Sequence, residues 1–330
     1  MNKARHWASL TERGALWGMQ LVAFTYRVLG RRVSGAILVP VVAYFYLTDS
    51  SARRCSSAFL RRAHAVKGLA QPTYWTSFRH FFMFAMKSLD AFAAWSDKPG
   101  PVTVHGAETI ERTLAEGKGA LLFVSHLGNA DVSRACLAQR IGKPITILLH
   151  TRHARLYNQM LRSARGGGEV HSLEVTELGP AVAIDLGERI ARGEWIAMAA
   201  DRTPVLSHGR TARVPFLGAD APFSLGPYIL AGLMACPVYV MFCLREGDHH
   251  GVYFELLANR IELPRRNKHA ILAQWAARYA SCLERFTLRD PMQWYNFYDF
   301  WQQPIADPGH GAPLIASGPD HAPGERDPCH

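Results

Sequence analysis

Between Gly14 and Thr48 the chain is almost wholly apolar, and its only charges are Arg27, Arg31 and Arg32. The second of the two runs this creates, Val33 to Thr48, is uncharged throughout. As a helix it would be about 24 Å long, short of a hydrocarbon core of about 30 Å. Gly35 and Pro40 lie inside it. The pattern admits one tilted span or a helical hairpin dipping into one leaflet, or else a pair of buried core helices. Ser9-x-x-Glu12 has the spacing of a capping box and predicts where the first helix opens. Over residues 51 to 67, helical spacing puts Arg53, Arg54, Arg61 and Arg62 on one side. Cys55, Phe59, Leu60, Ala63 and Val66 fall on the other, which suits an interfacial helix. From Thr76 to Trp95, Phe78, Phe81, Phe82, Met86, Leu89, Phe92 and Trp95 form a stripe of the kind that usually packs in a core.

From Pro101 onward short apolar runs alternate with helical patterns. Strands are predicted at 102–105, 120–125, 144–150, 169–173, 194–200, 237–244 and 252–257. Helices are predicted at 107–116, 130–141 and 179–192, and after residues 224 and 267. Strands alternating with helices imply an α/β domain whose sheet is mostly parallel and flanked by helices. Val214–Gly218 and Ala221–Pro227 read as Pro/Gly-rich loops. Beyond Gln303 the chain is rich in Pro, Gly, Asp and His, the composition of a disordered tail. Three regions follow: a basic, hydrophobic, helical membrane-associating region over 1–98, the α/β domain over 99–303, and the tail over 304–330.

Charge sharpens this division. The net charge of the 330 residues is +10, and residues 1–100, with 14 Lys+Arg against 4 Asp+Glu, carry all of it. Basic side chains flanking apolar helices favour an anionic membrane surface over nucleic acid, and arginines beside a membrane segment point to its cytoplasmic side. The mean hydropathy of −0.05 is too polar for a multi-span transporter. Six scattered cysteines without a C-x-x-C pair suggest neither a disulfide framework nor a structural metal. No apolar segment followed by a small-residue cleavage site is seen near Met1, so no cleavable signal peptide is expected. The pair His249-His250 sits in a charged turn and reads as a solvated hairpin tip.

The chemistry concentrates at Leu121-Leu-Phe-Val-Ser-His-Leu-Gly-Asn-Ala-Asp131, where a buried strand runs through a turn into a helix. A histidine just past a strand's C-terminal end lies where α/β sheets hold ligands. A carboxylate five residues later would face away on a regular helix, but Gly128 and Asn129 allow a turn that brings it back. A carboxylate on one imidazole nitrogen fixes the tautomer, and the other nitrogen can then take a proton from a hydroxyl. The competing reading is a histidine satisfied at a strand end, with Asp131 capping the helix. Ser125 lacks a Gly-x-Ser-x-Gly elbow, so no acyl-enzyme is expected, and Gly166-Gly-Gly168 lacks the lysine and strand of a phosphate loop.

Val124-Ser-His-Leu-Gly-Asn-Ala-Asp131 resembles the H-x4-D/E motif of the lysophospholipid acyltransferase superfamily, in particular its bacterial lipid A late acyltransferase branch. The resemblance extends over residues 10–303 and includes Thr103–Gly119, Ala200-Asp-Arg-Thr203, Val214–Gly218 and Ala221–Pro227. Tyr44-Phe-Tyr-Leu47 and Gln293–Trp301 bring it closer to the acyltransferases of aryl polyene and related pigment clusters. The resemblance implies His126 as general base and Asp131 as its orienting partner. It also implies Asn129, Arg152, Asp201, Arg202, Phe216 and Gly218 at the substrate, although His150-Thr-Arg-His-Ala154 departs from the lipid A form. The fold so implied is a glycerolipid acyltransferase-like α/β sheet. The implied reaction carries an acyl chain from an acyl carrier protein or coenzyme A thioester onto a lipid hydroxyl, with Arg152 and Arg202 available to a developing oxyanion. It needs no metal or redox cofactor. The implied partners are an acyl carrier protein and membrane lipid, at the cytoplasmic face of the inner membrane. Trp294–Trp301 reads either as a wall of an acyl-chain groove or as a segment sealing the core.

Overall fold

A computed structural model describes residues 16–94, 101–133, 145–149, 170–174, 180–203 and 210–302. Ser9–Glu12, Trp95, Arg152, Gly166–Gly168 and the tail over 304–330 lie outside the described residues.

Three helices come first: α1 (Leu16–Thr48), α2 (Ser50–Val66) and α3 (Tyr74–Ala94). Gly30 leaves helical geometry with φ 76 and kinks α1. The stretch Val28–Thr48, which includes the kink near its start, is long and apolar enough to cross a membrane by length and composition. Leu38 and Val42 of α1 bury against Met86 and Leu89 of α3, with Phe78, Phe81 and Phe82 packed beside them, as the aromatic stripe predicts. The two arginine pairs of α2 face outward or partly outward, and most of its apolar side is turned into the protein, Val66 alone of the five apolar positions staying exposed. Phe59, Leu60 and Ala63 are fully buried in the main core, and Phe59 meets Trp294 edge-on at 5.0 Å. Burial of those side chains answers the amphipathic pattern that alone suggested an interfacial helix.

The α/β part contains β1 (Val102–His105), α4 (Ala107–Ala115), β2 (Ala120–Val124), β3 (Ile145–Leu149), β4 (Val170–Glu174), α5 (Pro180–Ala191) and β5 (Trp195–Ala199). Then come β6 (Thr211–Phe216), β7 (Ala219–Ser224), α6 (Gly226–Met234), β8 (Val238–Glu246), β9 (His249–Ala258) and α7 (Lys268–Arg289). Seven strands form one sheet in the order β1-β9-β8-β2-β5-β3-β4, parallel except where β8 and β9 pair as a hairpin. Both faces are covered. Leu121 and Phe123 of β2 enter one core with residues of α5, α6 and α7, while Ala120, Leu122 and Val124 enter the other with Ile110 of α4. Burial on alternate sides of one strand is why β2 is apolar at every position.

Two expectations are corrected. The Pro/Gly-rich segments are not loops but the antiparallel ribbon β6–β7, paired from Thr211↔Ser224 to Phe216↔Ala219. A two-stranded ribbon has free edges, so Pro215 and Pro222 fit without breaking a ladder. Its two-residue turn, Leu217 (φ 49) and Gly218 (φ 73), has the positive φ pair that the right-handed twist of a hairpin favours. In the β8–β9 hairpin, His249 is near the exposed tip, but His250 is buried beside Asp90. Its Nε2 lies 3.9 Å from an Asp90 carboxylate oxygen, and burial pushes its imidazole down to about 4.

Candidate active site

Strand β2 is central, flanked by β8 and β5, and Val124 is in register with Ala199 at the C-terminal end of β5. The Ala200 N–H donates to the Val124 carbonyl at 3.0 Å and carries the pairing one step further. His126 and Asp201 each lie two residues beyond those partners, so the parallel register sets them side by side. The Asp201 carboxylate accepts from His126 Nδ1 at 2.9 Å and from the His126 backbone N–H at 2.8 Å. A third donor is the indole Nε1 of Trp294 at 3.2 Å. The Asp201 side chain is fully buried, whereas that of His126 is 41% exposed.

The electrostatics follow from this contrast. Burial pushes the Asp201 carboxyl up, but the His126 imidazole, its hydrogen bonds and the Arg202 guanidinium outweigh it and bring the group down to about 2. Asp201 is therefore a carboxylate at any ordinary pH. Loss of hydration around the ring and the nearby Arg202 charge lower the His126 pKa, and Asp201 only partly offsets them. The imidazole is neutral near pH 7, with its Nδ1–H donated to the Asp201 carboxylate. Its Nε2 has no hydrogen bond among the described residues and keeps a lone pair for an incoming proton.

The expected pairing of His126 with Asp131 is thus replaced by pairing with Asp201. Asp131 is buried in the first turn of a helix at 130–133, and Asn129 is that helix's cap. Asn129 Oδ1 accepts from the backbone N–H groups of Asp131 at 3.2 Å and Val132 at 3.4 Å, while its amide donates to the Lys87 carbonyl at 3.0 Å. Asn129, expected at the substrate, shapes the turn. Gly128 is obligatory there: its φ is +65, and a Cβ would lie 1.7 Å from the Cys243 carbonyl oxygen. That approach lets the Asn129 N–H reach the same carbonyl at 2.8 Å.

Of the remaining expected residues, Arg202 donates to the Tyr295 carbonyl at 3.1 Å and stacks 4.5 Å over the Tyr298 ring, so it is tied to the C-terminal segment and charged beside the pair. Phe216 is fully buried among Trp294, Phe300 and Trp301, and Gly218 closes the β6–β7 turn. Phe216 packs against the indole that holds Asp201. The segment Trp294–Trp301 seals the core and also returns to the motif. Leu127 and Trp294 form an antiparallel bridge, Gly128 N–H donates to the Gln293 carbonyl at 2.7 Å, and Tyr279 donates to the Val124 carbonyl at 3.0 Å. No sequence pattern singled out Trp294 as a partner of Asp201. The available signal was weak, namely a second acidic residue two positions past another buried strand.

A histidine–carboxylate pair at the carboxyl ends of adjacent parallel strands has the parts that general-base chemistry on a hydroxyl or thiol requires. Residues 69–303 match the family of bacterial lipid A biosynthesis acyltransferases, and the chain belongs to that family. It is also similar to the phosphatidylinositol mannoside acyltransferase of Mycolicibacterium smegmatis, 27% identical over 197 residues that cover 59% of this chain and 60% of that relative. The chain therefore spans less than two thirds of that relative's length.

Proposed function

We propose that the protein is an O-acyltransferase that moves an acyl chain from a thioester to a hydroxyl of a lipid-like acceptor at a membrane surface. The observation that carries this reading is the neutral, half-open His126 held by the buried Asp201 within a chain of the lipid A acyltransferase family. In the proposed step, His126 Nε2 takes the acceptor's proton as its oxygen attacks the thioester carbonyl. The tetrahedral intermediate then collapses, the C–S bond breaks, and the thiolate leaves with the proton returned by imidazolium. Asp201 stabilises that imidazolium, and Arg202 adds positive potential beside the reacting centre.

The donor fitting this scheme is an acyl carrier protein or coenzyme A thioester. An aryl polyenoyl chain is the finer reading of the acyl group, and a glycolipid such as lipid A or a phosphatidylinositol mannoside is the alternative acceptor. Membrane association, read here as at the cytoplasmic face of the inner membrane, draws its support from exposed apolar side chains, which do not bear on the face. Val28, Tyr44 and Leu47 on α1 and Tyr74 and Trp75 at the start of α3 are all more than half exposed, Trp75 by 77%. Arg54 and Arg61 are exposed nearby in sequence and suit anionic lipid or an acidic carrier.

The test uses membranes bearing the protein, a labelled carrier thioester and extracted lipid, with wild type compared with His126→Ala at matched amounts. Transfer should fall by at least about a hundredfold in the variant. Equal transfer in both rejects His126 as the base, and carrier binding without transfer from any donor points to a noncatalytic binding module. Mass analysis of the labelled lipid then separates pigment from glycolipid acylation.

A further inference from the structure

A file of buried polar groups runs from the N-terminal helices to the C-terminal segment, apart from the base and its carboxylate. It starts at Ser77 on α3 and Ser56 on α2, whose hydroxyl oxygens are 3.1 Å apart. Ser56 Oγ lies 2.9 Å from Nδ1 of His80 on α3, and His80 Nε2 lies 3.1 Å from the Trp294 carbonyl oxygen. Ser56 and His80 have no solvent exposure and Ser77 has 1%, so the groups must satisfy one another. A carbonyl can only accept, so Nε2 carries the ring proton and Nδ1 is an acceptor. The Ser56 hydroxyl then donates to the ring, and the Ser77 hydroxyl donates to Ser56. Packing alone does not call for this arrangement, since an apolar ring would fill the space with no polar groups to satisfy.

The file ends on the residue that holds the catalytic carboxylate. The Trp294 carbonyl accepts from His80 and from the Asn296 N–H at 2.8 Å. Asn296 is two residues on in the same segment, so among the described residues His80 is the donor that ties this carbonyl to another element. The indole Nε1 of the same Trp294 donates to Asp201 at 3.2 Å. The indole packs edge-on against Phe59 at 5.0 Å, and the His80 ring stacks on Phe297 at 4.7 Å. Backbone bonds to the motif turn hold the segment from one side, with Tyr295 N–H 3.5 Å from the His126 carbonyl oxygen. His80 holds it from the side of α2 and α3.

We propose that His80, itself held by Ser56, is a positioning residue for acyl transfer: it fixes the Trp294 backbone so that the indole stays on Asp201, and through Asp201 it sets the His126 ring. The link is mechanical, because the Trp294 carbonyl and its indole N–H share no proton path. The proposal rests on the acyl-transfer reading for the reaction served, but the effect of His80 on the His126 ring does not depend on that reading.

The test compares full-length wild type, His80→Asn, His80→Gln, Trp294→Phe and the double variant His80→Asn/Trp294→Phe in detergent, with thermal melting to establish that each is folded. A glutamine amide reaches the position of Nε2 and can still donate to the Trp294 carbonyl, whereas an asparagine amide is too short. Transfer is followed as kcat and KM. Titration of the His126 ring by NMR, assigned by its loss in His126→Ala, needs no activity. His126 faces Asp201, Arg202 and Lys87, and these charges are the same in every variant. In His80→Asn, kcat should fall about tenfold with KM within about twofold of wild type, and the His126 pKa should rise as it does in Trp294→Phe. His80→Gln should keep both near wild type, and His80→Asn should add less than about twofold in the Trp294→Phe background. Wild-type kcat and His126 titration in His80→Asn overturn the proposal, as do equal losses in the asparagine and glutamine variants or a full additional loss in the double variant. Should His80→Asn not fold, Ser56→Ala releases the other ring nitrogen and should show the same changes in weaker form, and unaltered transfer and titration there overturn the proposal. A shifted His126 titration with no transfer by wild type from any thioester sinks only the acyl-transfer reading, whereas His126-dependent transfer indifferent to His80 sinks only this one.

Discussion

At the scale of single residues, the proposed catalysis depends on how Asp201 is held. Three donors converge on a carboxylate with no solvent exposure, so its charge is fixed and its orientation has little freedom. Asp201→Asn keeps the shape but allows the wrong imidazole tautomer, and should lower the transfer rate by about 10³- to 10⁴-fold with little change in melting temperature. Trp294→Phe removes one donor and makes the carboxylate a stronger partner for imidazolium. The His126 pKa then rises, and because the base must be neutral, the acid limb of the kcat/KM profile should move to higher pH. In wild type that limb should lie below 6.5, the ordinary histidine value, since burial and Arg202 both disfavour the charged ring. A limb that does not move in Trp294→Phe would count against the indole's part in the site.

Between elements, the joint of α2, α3 and the C-terminal segment has its own titration. His80 is fully buried, with Nδ1 2.9 Å from the Ser56 hydroxyl and Nε2 3.1 Å from the Trp294 carbonyl. Burial lowers its pKa to about 4, opposed by the Trp294 carbonyl. The unfolded chain takes up a proton at a higher pH than the folded one. Stability is therefore complete above about 6.5 and declines as pH falls toward 4, by about 3 kcal/mol in total. Chemical denaturation between pH 7 and 4 measures this, and in His80→Gln the portion due to this group should vanish. The central strands of the main sheet were legible in the sequence because burial on both faces makes them continuous apolar runs, as in Ala120–Val124. The ribbon β6–β7 was not, since Pro215, Pro222 and Gly218 are turn formers whose strand role depends on free edges and a tight turn. His126 was legible from its place after β2. Its partner was not, because the nearness of Asp201 comes from the pairing of β2 with β5, a contact 75 residues apart in sequence that no local pattern encodes.

For the whole molecule, the uneven distribution of charge and apolar surface sets what the proposed membrane contact should depend on. All of the net charge of +10 is in the first 100 residues, the region that also exposes Tyr74, Trp75 and Leu47. The double variant Tyr74→Ala/Trp75→Ala should weaken sedimentation with anionic vesicles by about tenfold, because amphipathic aromatic rings favour the headgroup layer. Raising the salt to about 0.5 M should weaken wild-type binding further by screening the arginines. Unchanged sedimentation of the double variant would move the contact elsewhere on the surface. The return of the C-terminal segment has a consequence in time. Asp201 receives its indole donor from residue 294, 168 positions after the histidine it orients, and the motif turn is bridged by the same segment. A chain emerging from the ribosome has its base and carboxylate long before it has the residues that fix them. The site is therefore finished among the last parts of the α/β domain to be made, and on the proposed acyl-transfer reading a partly synthesised chain cannot react prematurely.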